Sequence, residues 1–509
     1  MSLSNCGIRG RPSVSHRTLS VTRWISESRD RQPGPARADA GSAQTRQRGT
    51  LAAVAAAMFC IQLDFFALSL ALPDMARSFA ATPQAAQWTL SGYMLCLGAV
   101  FIVAGRLGDI VGRRKALLAG CALFTGTVIG AALAPSLGVL IVFRVLQGAG
   151  AGLMFPVGIA VVTNAYPDDK RAKALGLTFA IANIGTALGP FVGGGLAQGP
   201  GWRWIFWLMV PVSGLALLLT LRFVAESRDE SASRKVDIPG ALLVGAGVAC
   251  ISAGFDRGNT AGWASASTIG FLAAGAILLA LFPLRELHIA EPLIDLKLFR
   301  NLPFDLVTVL ACVCNVCYAS LIFIASLYLQ AVRGLSPLMA GVVFLAPAGL
   351  VAVSGPIGAR LQPRFRPTAV MAAAGGIAGV ALLWLTSVTA WWAFVPAFAI
   401  CGFGLGLGWT FANIATQEVV DPDRAGEASG VVLTCLVTVG GIGLAAAASI
   451  ITALEHSGHS KGSAYETTLR LLACLSIGAA VIVMAIRQLL VRRGLMKPLS
   501  MAADRAPAD

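Results

Sequence analysis

The chain has 509 residues, of which 56% are hydrophobic and 13% are charged, and its mean hydropathy is +0.74. Soluble globular domains carry about 25% charged residues, so the composition excludes a soluble protein and predicts one that lies in a lipid bilayer. The net charge of +14 would suggest nucleic acid binding in a soluble chain. Here the Arg and Lys residues lie in short links between apolar runs, as in the cytoplasmic loops of membrane proteins, and we expect no nucleic acid partner.

Many apolar runs are about 20 residues long, which is the length that a helix needs to cross a bilayer. They predict an all-α integral membrane protein with fourteen transmembrane helices. The runs lie near residues 51–73, 88–107, 116–134, 137–160, 174–197, 204–224, 238–255, 266–284, 305–330, 337–358, 368–388, 392–414, 428–454 and 468–490.

The links between these runs alternate in charge. One set is short and poor in Lys and Arg, and the other set is basic. Because the number of spans is even, this bias predicts that both termini lie in the cytoplasm. The basic links hold Arg113–Lys115, Lys170–Lys173, Arg222–Lys235, Arg285–Arg300, Arg360–Arg366 and Arg424, and Arg492, Arg493 and Lys497 follow the last span.

Residues 1–49 differ in composition from the rest of the chain. They contain nine Arg, many Ser and no Lys, and they lack an apolar core that could serve as a signal peptide. We expect a disordered basic cytoplasmic tail. A transit peptide or an over-extended start codon would have a similar composition.

The eleven cysteines do not indicate a metal site. Cys312, Cys314 and Cys317 lie close together in sequence, but a helix does not bring all three to one face, and no His lies nearby. We expect these cysteines to pack as small apolar side chains.

The chain also contains an internal repeat. Gly148–Gly152 aligns with Gly402–Gly406, and the register continues from Asp169-Lys170 to Asp423-Arg424. The repeat predicts two six-helix bundles, residues 50–224 and 301–490. Residues 225–300 would form a linker with two extra transmembrane helices, and residues 491–509 a cytoplasmic tail.

Several short motifs follow one another in a fixed order along the predicted spans. In chain order they are Leu63-Asp64 with Ala71-Leu72-Pro73, Gly105–Lys115, Arg144 with Gln147–Gly150, Gly185 with Gly189, Pro190, Gly193 and Gly194, Trp202–Phe206, Gly262-Trp263, and Tyr328–Gln330 with Gly334, Ser336 and Pro337. Together they resemble the motifs of the major facilitator superfamily, and in particular of its fourteen-span drug:proton antiporters of the EmrB/QacA type. The resemblance covers about residues 50–490.

This resemblance implies a major facilitator fold in the plasma (inner) membrane and export of small molecules, including antibiotics, in exchange for protons. It implies a monomer rather than a larger assembly, and a transporter rather than an enzyme. The proton gradient would supply the energy, with no cofactor. Nothing in the chain is similar to a phosphate-binding loop, so ATP hydrolysis is not expected.

Asp64 and Arg144 are the candidate proton-coupling residues, because a charge inside a membrane span costs about 2.5 to 3.5 kcal/mol and usually faces a cavity or a partner. Counting from the predicted outer ends of their spans, they lie at similar depths of about 13 Å and about 10 Å. They could therefore pair, and a carboxyl held between a guanidinium and an apolar environment could take up and release protons as water access changes. A static pair that orders the first bundle is the alternative. The aligned positions in the second bundle are Phe398 and, approximately, Tyr318, which predicts that proton handling belongs to the first bundle.

Two other motifs are candidate gating elements. Gly185, Gly189 and Gly193 recur every four residues and form a smooth stripe that lets another helix approach, and Pro190 should bend this helix. Ordinary tight packing would explain the stripe equally well. The loop that contains Gly105, Asp109, Gly112 and Arg113 would hold a conformation closed, with Asp109 near a helix N-terminus and Arg113 bridging to a neighbouring helix end. A purely topogenic role for its basic residues is the alternative.

The predicted substrate cavity combines polar and aromatic side chains with apolar walls. This composition suits a lipophilic molecule, and a cationic one could meet Asp64. Three functions stay open: a proton-driven exporter, a proton-coupled metabolite importer, and a membrane sensor or scaffold that transports nothing. The candidate cavity residues are Gln62, Phe66, Gln147, Asn183, Asn315, Tyr318 and Asn413.

Overall fold

A computed structural model describes residues 35–228, 237–289, 296–361, 364–420 and 425–492 of the chain. The chain separates into two compact units, Met1–Arg46 and Gln47–Asp509. The candidate site lies in the second unit. Most of the tail predicted at 1–49 and nearly all of the tail predicted at 491–509 lie outside the described residues.

The fold is all-α, which confirms the predicted fold class. Among the described residues, a helical turn at Pro83–Ala86 precedes α2, a 3-10 turn at Leu296–Arg300 precedes α9, and a π turn at Tyr328–Val332 follows α9. The long helices are α1 (Pro35–Ser78), α2 (Trp88–Val111), α3 (Arg113–Ala132), α4 (Leu137–Ala165), α5 (Asp168–Gln198), α6 (Arg203–Phe223), α7 (Ile238–Ala261), α8 (Ala266–Glu286), α9 (Leu302–Leu327), α10 (Pro337–Leu361), α11 (Pro367–Ser387), α12 (Trp391–Val419), α13 (Ala425–His456) and α14 (Lys461–Arg492).

Twelve of the described helices are long and apolar enough to span a bilayer. Helix α2 is bent: the segments Pro83–Phe101 and Val103–Val111 meet at 51°. If these two segments count as one span, α2 is the thirteenth. The apolar part of α7, Pro239–Phe255, is shorter than a full span. The protein is therefore a multi-pass membrane protein, and the fourteenth crossing stays a prediction.

Local capping sets several helix boundaries. The Ser136 hydroxyl accepts a hydrogen bond from the Val139 backbone N–H at the start of α4, and Ser265 does the same for Thr268 at the start of α8. Helix α1 begins at Pro35, before the expected start near residue 50. Pro is favoured in the first turn of a helix, and the Ala and Arg residues that follow it are good helix formers.

The helices form two similarly packed groups. In the first, α2 packs against α4, and α3 packs against α4 and α6. In the second, α10 packs against α12, and α11 packs against α12 and α14, which repeats the same pairs eight helices later. Helix α5 packs against α10, and α2 packs against α13, so two seams join the groups. Helix α7 contacts both α2 and α13 as well as α8.

Hydrogen bonds define the two sides of the bundle. On one side, Thr50 in the first half of α1 donates to the Phe223 carbonyl at the end of α6 at 3.1 Å. We call this the Gly112 side, because Gly112 separates α2 from α3 there. On the opposite side, the Trp202 indole N–H before α6 donates to Ser78 at the end of α1 at 3.0 Å. We call this the Gly199 side, after the residue that follows α5.

The two groups close against each other toward the Gly199 side. The Ser326 hydroxyl of α9 donates to the Ser69 carbonyl of α1 at 2.7 Å, and the Leu338 N–H of α10 donates to the Gln198 amide oxygen of α5 at 3.2 Å. A Cβ atom at Gly341 of α10 would lie only 2.7 Å from the Pro190 carbonyl oxygen. Backbone contact of this kind leaves no passage between α5 and α10 at this level.

Candidate functional site

A buried ion pair joins α1 and α4. Arg144 Nη1 donates to Asp64 Oδ2 at 2.6 Å, and the side chains of both residues are 0% exposed. Their positions in the sequence predict similar depths, and the structure brings the two residues into direct contact. Among the described ion pairs, this is the one in which both side chains are fully inaccessible to solvent.

Three helices hold the Arg144 guanidinium. Its Nε donates to the Thr89 carbonyl of α2 at 2.9 Å, and Nη1 also donates to the Gln147 amide oxygen, one turn further along α4, at 2.7 Å. The centroid of the Tyr93 ring of α2 lies 4.4 Å from Arg144 Cζ, within cation–π distance. The Arg144 guanidinium thus contacts α1, α2 and α4.

The hydrogen bonds around the pair are incomplete. Asp64 Oδ1, Arg144 Nη2 and Gln147 Nε2 are buried and have no hydrogen-bond partner among the described residues. A buried polar atom without a partner costs about 1 to 3 kcal/mol. The site can therefore gain stability from a conformation in which water or another group supplies these missing partners.

Glycines of α4 bring α2 close to the pair. A Cβ atom at Gly148 would overlap the Tyr93 carbonyl oxygen, and one at Gly152 would lie 3.0 Å from the Leu97 carbonyl oxygen. Small residues at these positions let two helix backbones touch. The glycine run that follows Arg144 in sequence therefore fixes the distance between α4 and the segment that carries Tyr93.

A central cavity lies between the two helix groups, beside the ion pair. It encloses about 1180 Å³ of space not filled by protein atoms, including its open mouth. Its wall is mainly apolar and aromatic, and no charged side chain lines it in the described parts of the chain. The aromatic lining residues are Phe65, Phe66, Tyr93, Phe101, Phe155, Tyr318 and Trp409.

The cavity extends toward the Gly112 side. Helix α10 begins on the Gly199 side, and its lining residues Val351, Ser354 and Gly355 belong to its second half. Helix α12 contributes Trp409 and other residues, also from its second half. With the Gly199 side closed, the mouth of the cavity faces the Gly112 side.

Five of the seven predicted cavity residues line this cavity, namely Gln62, Phe66, Asn183, Asn315 and Tyr318. The Asn315 side-chain amide donates to the Leu436 carbonyl at 2.6 Å, and the Gln62 amide donates to the Thr186 hydroxyl at 2.9 Å. The side chain of Asn413 lies outside the described residues.

Gln147 requires a correction, because it is 0% exposed and does not line the cavity. It lies three residues after Arg144, which places it on the same face of α4, and its amide oxygen is used by that guanidinium. Asp64 is also absent from the cavity lining, so a cationic molecule in the cavity would not meet this carboxylate directly, contrary to the expectation from sequence.

The glycine stripe of α5 packs against α1. A Cβ atom at Gly185 would lie 2.6 Å from the Phe59 carbonyl oxygen, one at Gly189 would lie 2.5 Å from Phe66 Cβ, and one at Gly193 would overlap the Ala67 carbonyl oxygen. Helix α5 continues from Asp168 to Gln198 through Pro190. Among the described spans, the broken helix is α2, and the bend at Pro190 stays a prediction. Contacts with α1 and α10 support α5 on both sides of Pro190.

The loop between α2 and α3 is organised around Gly112, whose φ of +115° suits glycine. Arg113 pairs with Asp109 through Nη2 at 2.8 Å. Asp109 lies in the last turn of α2, where the dipole of that helix disfavours a carboxylate, and its predicted role beside a helix N-terminus stays a prediction. The ion pair offsets that unfavourable position. A Cβ atom at Gly105 would meet nothing within 4 Å.

Arg114 and Glu226, which are not among the site residues predicted from sequence, join this loop to the segment after α6. The Arg114 guanidinium donates to the Leu221 carbonyl at 2.9 Å, so Arg114 rather than Arg113 uses its side chain to bridge to the neighbouring helix end. Glu226 Oε1 accepts from the Arg114 backbone N–H at 3.1 Å. The sequence marks Glu226 only as one of three acidic residues in the link Arg222–Lys235. The side chains of Asp168 and Asp169, and residues Asp423 and Arg424, lie outside the described residues.

A second carboxylate–guanidinium pair lies at the Gly112 side of the inserted helices. Asp237, just before α7, accepts two hydrogen bonds at 2.9 Å from Arg285 Nε and one at 2.7 Å from Arg285 Nη2 near the end of α8. Hydrogen bonding to this guanidinium holds the pKa of Asp237 below its ordinary value. This pair ties the two ends of the α7–α8 hairpin together.

Comparison with known proteins identifies the family. Residues 54–445 match the sequence model of the Major Facilitator Superfamily, and the chain belongs to that superfamily. The tetracenomycin C resistance and export protein of Streptomyces glaucescens is 33% identical over 414 residues, which cover 80% of this chain and 75% of the relative. Multidrug resistance protein Stp of Mycobacterium tuberculosis is 34% identical over 414 residues, which cover 79% of this chain and 76% of the relative.

A solved structure shows the same fold. The crystal structure of a peptide transporter POT in complex with sulfate superposes with a TM-score of 0.66 and covers 88% of this chain and 96% of the transporter. The two sequences are 16% identical, so this likeness concerns the fold alone. The protein is a multi-pass membrane protein with the major facilitator fold.

Proposed function

We propose that the protein is a proton-coupled antiporter that exports lipophilic small molecules, cationic ones included, from the cytoplasm. It works by alternating access, uses the proton gradient and needs no cofactor. The names of the two relatives, which refer to drug resistance and antibiotic export, support the export of drug-like molecules. The fourteen-span EmrB/QacA type and the cytoplasmic termini are part of this proposal. The buried Asp64–Arg144 pair beside the cavity is the observation that carries it.

Protonation would change the balance of charge in this pair. With a proton on Asp64, Arg144 keeps the Thr89 carbonyl and the Gln147 amide oxygen as acceptors but loses its only anionic partner. A lone buried charge is costly, so the protonated protein should favour a conformation in which water or another acceptor reaches Arg144. A conformational preference that depends on one proton is the requirement for coupling.

The arrangement of the two helix groups supports alternating access. The Gly199 side is closed by contacts such as Ser326 with Ser69, and the cavity faces the Gly112 side. The basic links lie on the Gly112 side, which the positive-inside rule assigns to the cytoplasm. In the proposed cycle, this is the conformation that loads cargo from the cytoplasm. The opposite conformation would open the seams between α5 and α10 and between α2 and α13.

Vesicles that contain the purified protein provide the test. With the membrane potential clamped, an inside-acid gradient should drive a lipophilic dye such as ethidium inward as protons leave, and an inside-alkaline gradient should drive it outward. Asp64→Asn should abolish this exchange. Asp74→Asn is the matched control, since Asp74 lies on the same helix but pairs with the exposed Arg77 at its Gly199 end. Dye that moves in the same direction as protons would indicate an importer, and no protein-dependent movement would indicate a protein that does not transport.

A further inference from the structure

Asp64 and Arg144 are sealed from the cavity, which raises the question of how cargo influences them. Both side chains are 0% exposed, and neither lines the cavity. No charged side chain lines it in the described residues. A cargo molecule in this conformation therefore cannot touch the ion pair. A ligand shifts an equilibrium only through contacts that differ between the two states, so coupling requires a side chain that contacts both the cargo and the pair.

Two aromatic rings lie beside the Arg144 guanidinium, and one of them reaches the cavity. Arg144 Cζ is 4.4 Å from the centroid of the Tyr93 ring and 6.0 Å from that of Phe206. Tyr93 forms part of the cavity wall, although only 1% of its surface is exposed, whereas Phe206 is 0% exposed and is not part of that wall. The Phe65 ring lies 6.3 Å from Tyr93 and extends the same wall.

Contact with α4 holds the backbone of Tyr93, whereas no hydrogen bond holds its hydroxyl among the described residues. Gly148 of α4 packs directly on the Tyr93 carbonyl group, so α2 cannot move toward α4 at this level. The Tyr93 hydroxyl is buried and has no hydrogen-bond partner among the described residues. A change at Tyr93 is therefore confined to the position of its ring and hydroxyl.

We propose that Tyr93 is the positioning residue through which cargo acts on the Asp64–Arg144 pair, an inference that rests on the proposed antiport. Cargo that fills the cavity presses on the Phe65–Tyr93 wall and fixes the Tyr93 ring against the guanidinium. Protonation of Asp64 removes the anionic partner of Arg144 Nη1, and the guanidinium and the ring then move together, which reshapes the cavity wall. Because such a coupling is reciprocal, cargo and proton each weaken the binding of the other.

The experiment measures two quantities for each variant in the same vesicles, the dye affinity and the number of protons moved per dye molecule. Tyr93→Leu removes the ring, and Tyr93→Phe keeps it. We expect Tyr93→Leu to bind ethidium and let it run down its own gradient, but to lose the response of dye movement to an imposed pH gradient. Tyr93→Phe should retain the wild-type ratio. If the Leu variant does not fold, Tyr93→Met, which fills much of the same space without a ring face, takes its place.

Two control variants separate the parts of the proposal. Tyr318→Leu removes an aromatic ring from the cavity wall of α9, and Phe206→Leu removes the ring that lies near Arg144 but outside the cavity. Both should keep the wild-type number of protons per dye molecule, and Tyr318→Leu should lower the dye affinity. A Tyr93→Leu or Tyr93→Met protein with the wild-type ratio would overturn the inference, as would an equal loss of coupling in either control or in Tyr93→Phe. Absence of exchange in the wild-type protein would instead refute the proposed antiport.

Discussion

Gly193 of α5 lies so close to Ala67 of α1 that a Cβ atom at position 193 would overlap the Ala67 carbonyl oxygen. Gly193→Ala should force the two helices apart, and overpacking of this kind costs about 1 to 3 kcal/mol. We expect a lower melting temperature in detergent and slower dye exchange in vesicles. Gly176→Ala is the matched control on the same helix, since a Cβ atom there meets nothing within 4 Å. Equal melting temperatures of the two variants would contradict this account of the stripe.

The Asp64–Arg144 pair should show strong energetic coupling. Removal of one partner from a buried ion pair leaves an uncompensated charge and costs about 3 to 5 kcal/mol. Asp64→Asn and Arg144→Gln should each destabilise the protein, and the double variant should be less destabilised than the sum of the two. Thermal unfolding of the four proteins in one detergent measures this difference. Additive effects would mean that the two side chains contribute independently. The double variant should still exchange no protons for dye.

Gly112 should tolerate alanine less well than another glycine of similar backbone geometry. Gly112 has φ +115° and Gly201 has φ +107°, so alanine at either position adds strain of about 1 to 3 kcal/mol. At Gly112 the new Cβ would also lie 2.5 Å from Glu226 Oε1, whereas at Gly201 it meets nothing within 4 Å. Gly112→Ala should therefore cost more stability, as measured by melting temperature. This excess should disappear in a Glu226→Ala background, and its persistence there would exclude the Glu226 contact as its cause.

The ion pair between Asp237 and Arg285 predicts a specific dependence on pH. The folded-state pKa of Asp237 lies below the ordinary value of 3.8, so the pair stabilises the protein above that value. This contribution is lost as the pH falls through the lowered pKa and the carboxylate takes up a proton. The difference in melting temperature between the wild type and Asp237→Asn should be largest near neutral pH and should shrink below about pH 4. Asp74→Asn should change little at either pH, because its partner Arg77 is exposed. A difference that is independent of pH would contradict the prediction.

The sequence predicts the helices well because runs of apolar residues carry the signal for a membrane span directly. It does not predict the break in α2, since no proline lies near Ile102 and the flanking Gly98 and Gly105 resemble many glycines in unbroken spans. The proximity of Asp64 and Arg144 could be estimated because the rise of a helix is fixed, so depth follows from counting residues. The contacts of Arg144 with Thr89 and Tyr93 could not, because they depend on the rotation of α2 about its axis.

The position of Gln147 beside Arg144, rather than in the cavity wall, follows from the sequence. Residues three apart lie on one face of a helix, and the proximity of Gln147 to Arg144 follows from that rule alone. The position of Glu226 is different. Its contact with the Arg114 backbone joins parts of the chain that are distant in sequence and depends on how α6 ends beside α3, which no local pattern records.

The two seams between the helix groups are unequal. Helix α7 contacts both α2 and α13 and thereby covers one seam, while among the described residues neither inserted helix packs against the seam between α5 and α10. A molecule that arrives dissolved in the hydrocarbon of the membrane thus meets one bare flank and one shielded flank. Helix α7 is the barrier between the hydrocarbon and the seam of α2 with α13, whereas on the other flank the direct contact of α5 with α10 is itself the barrier.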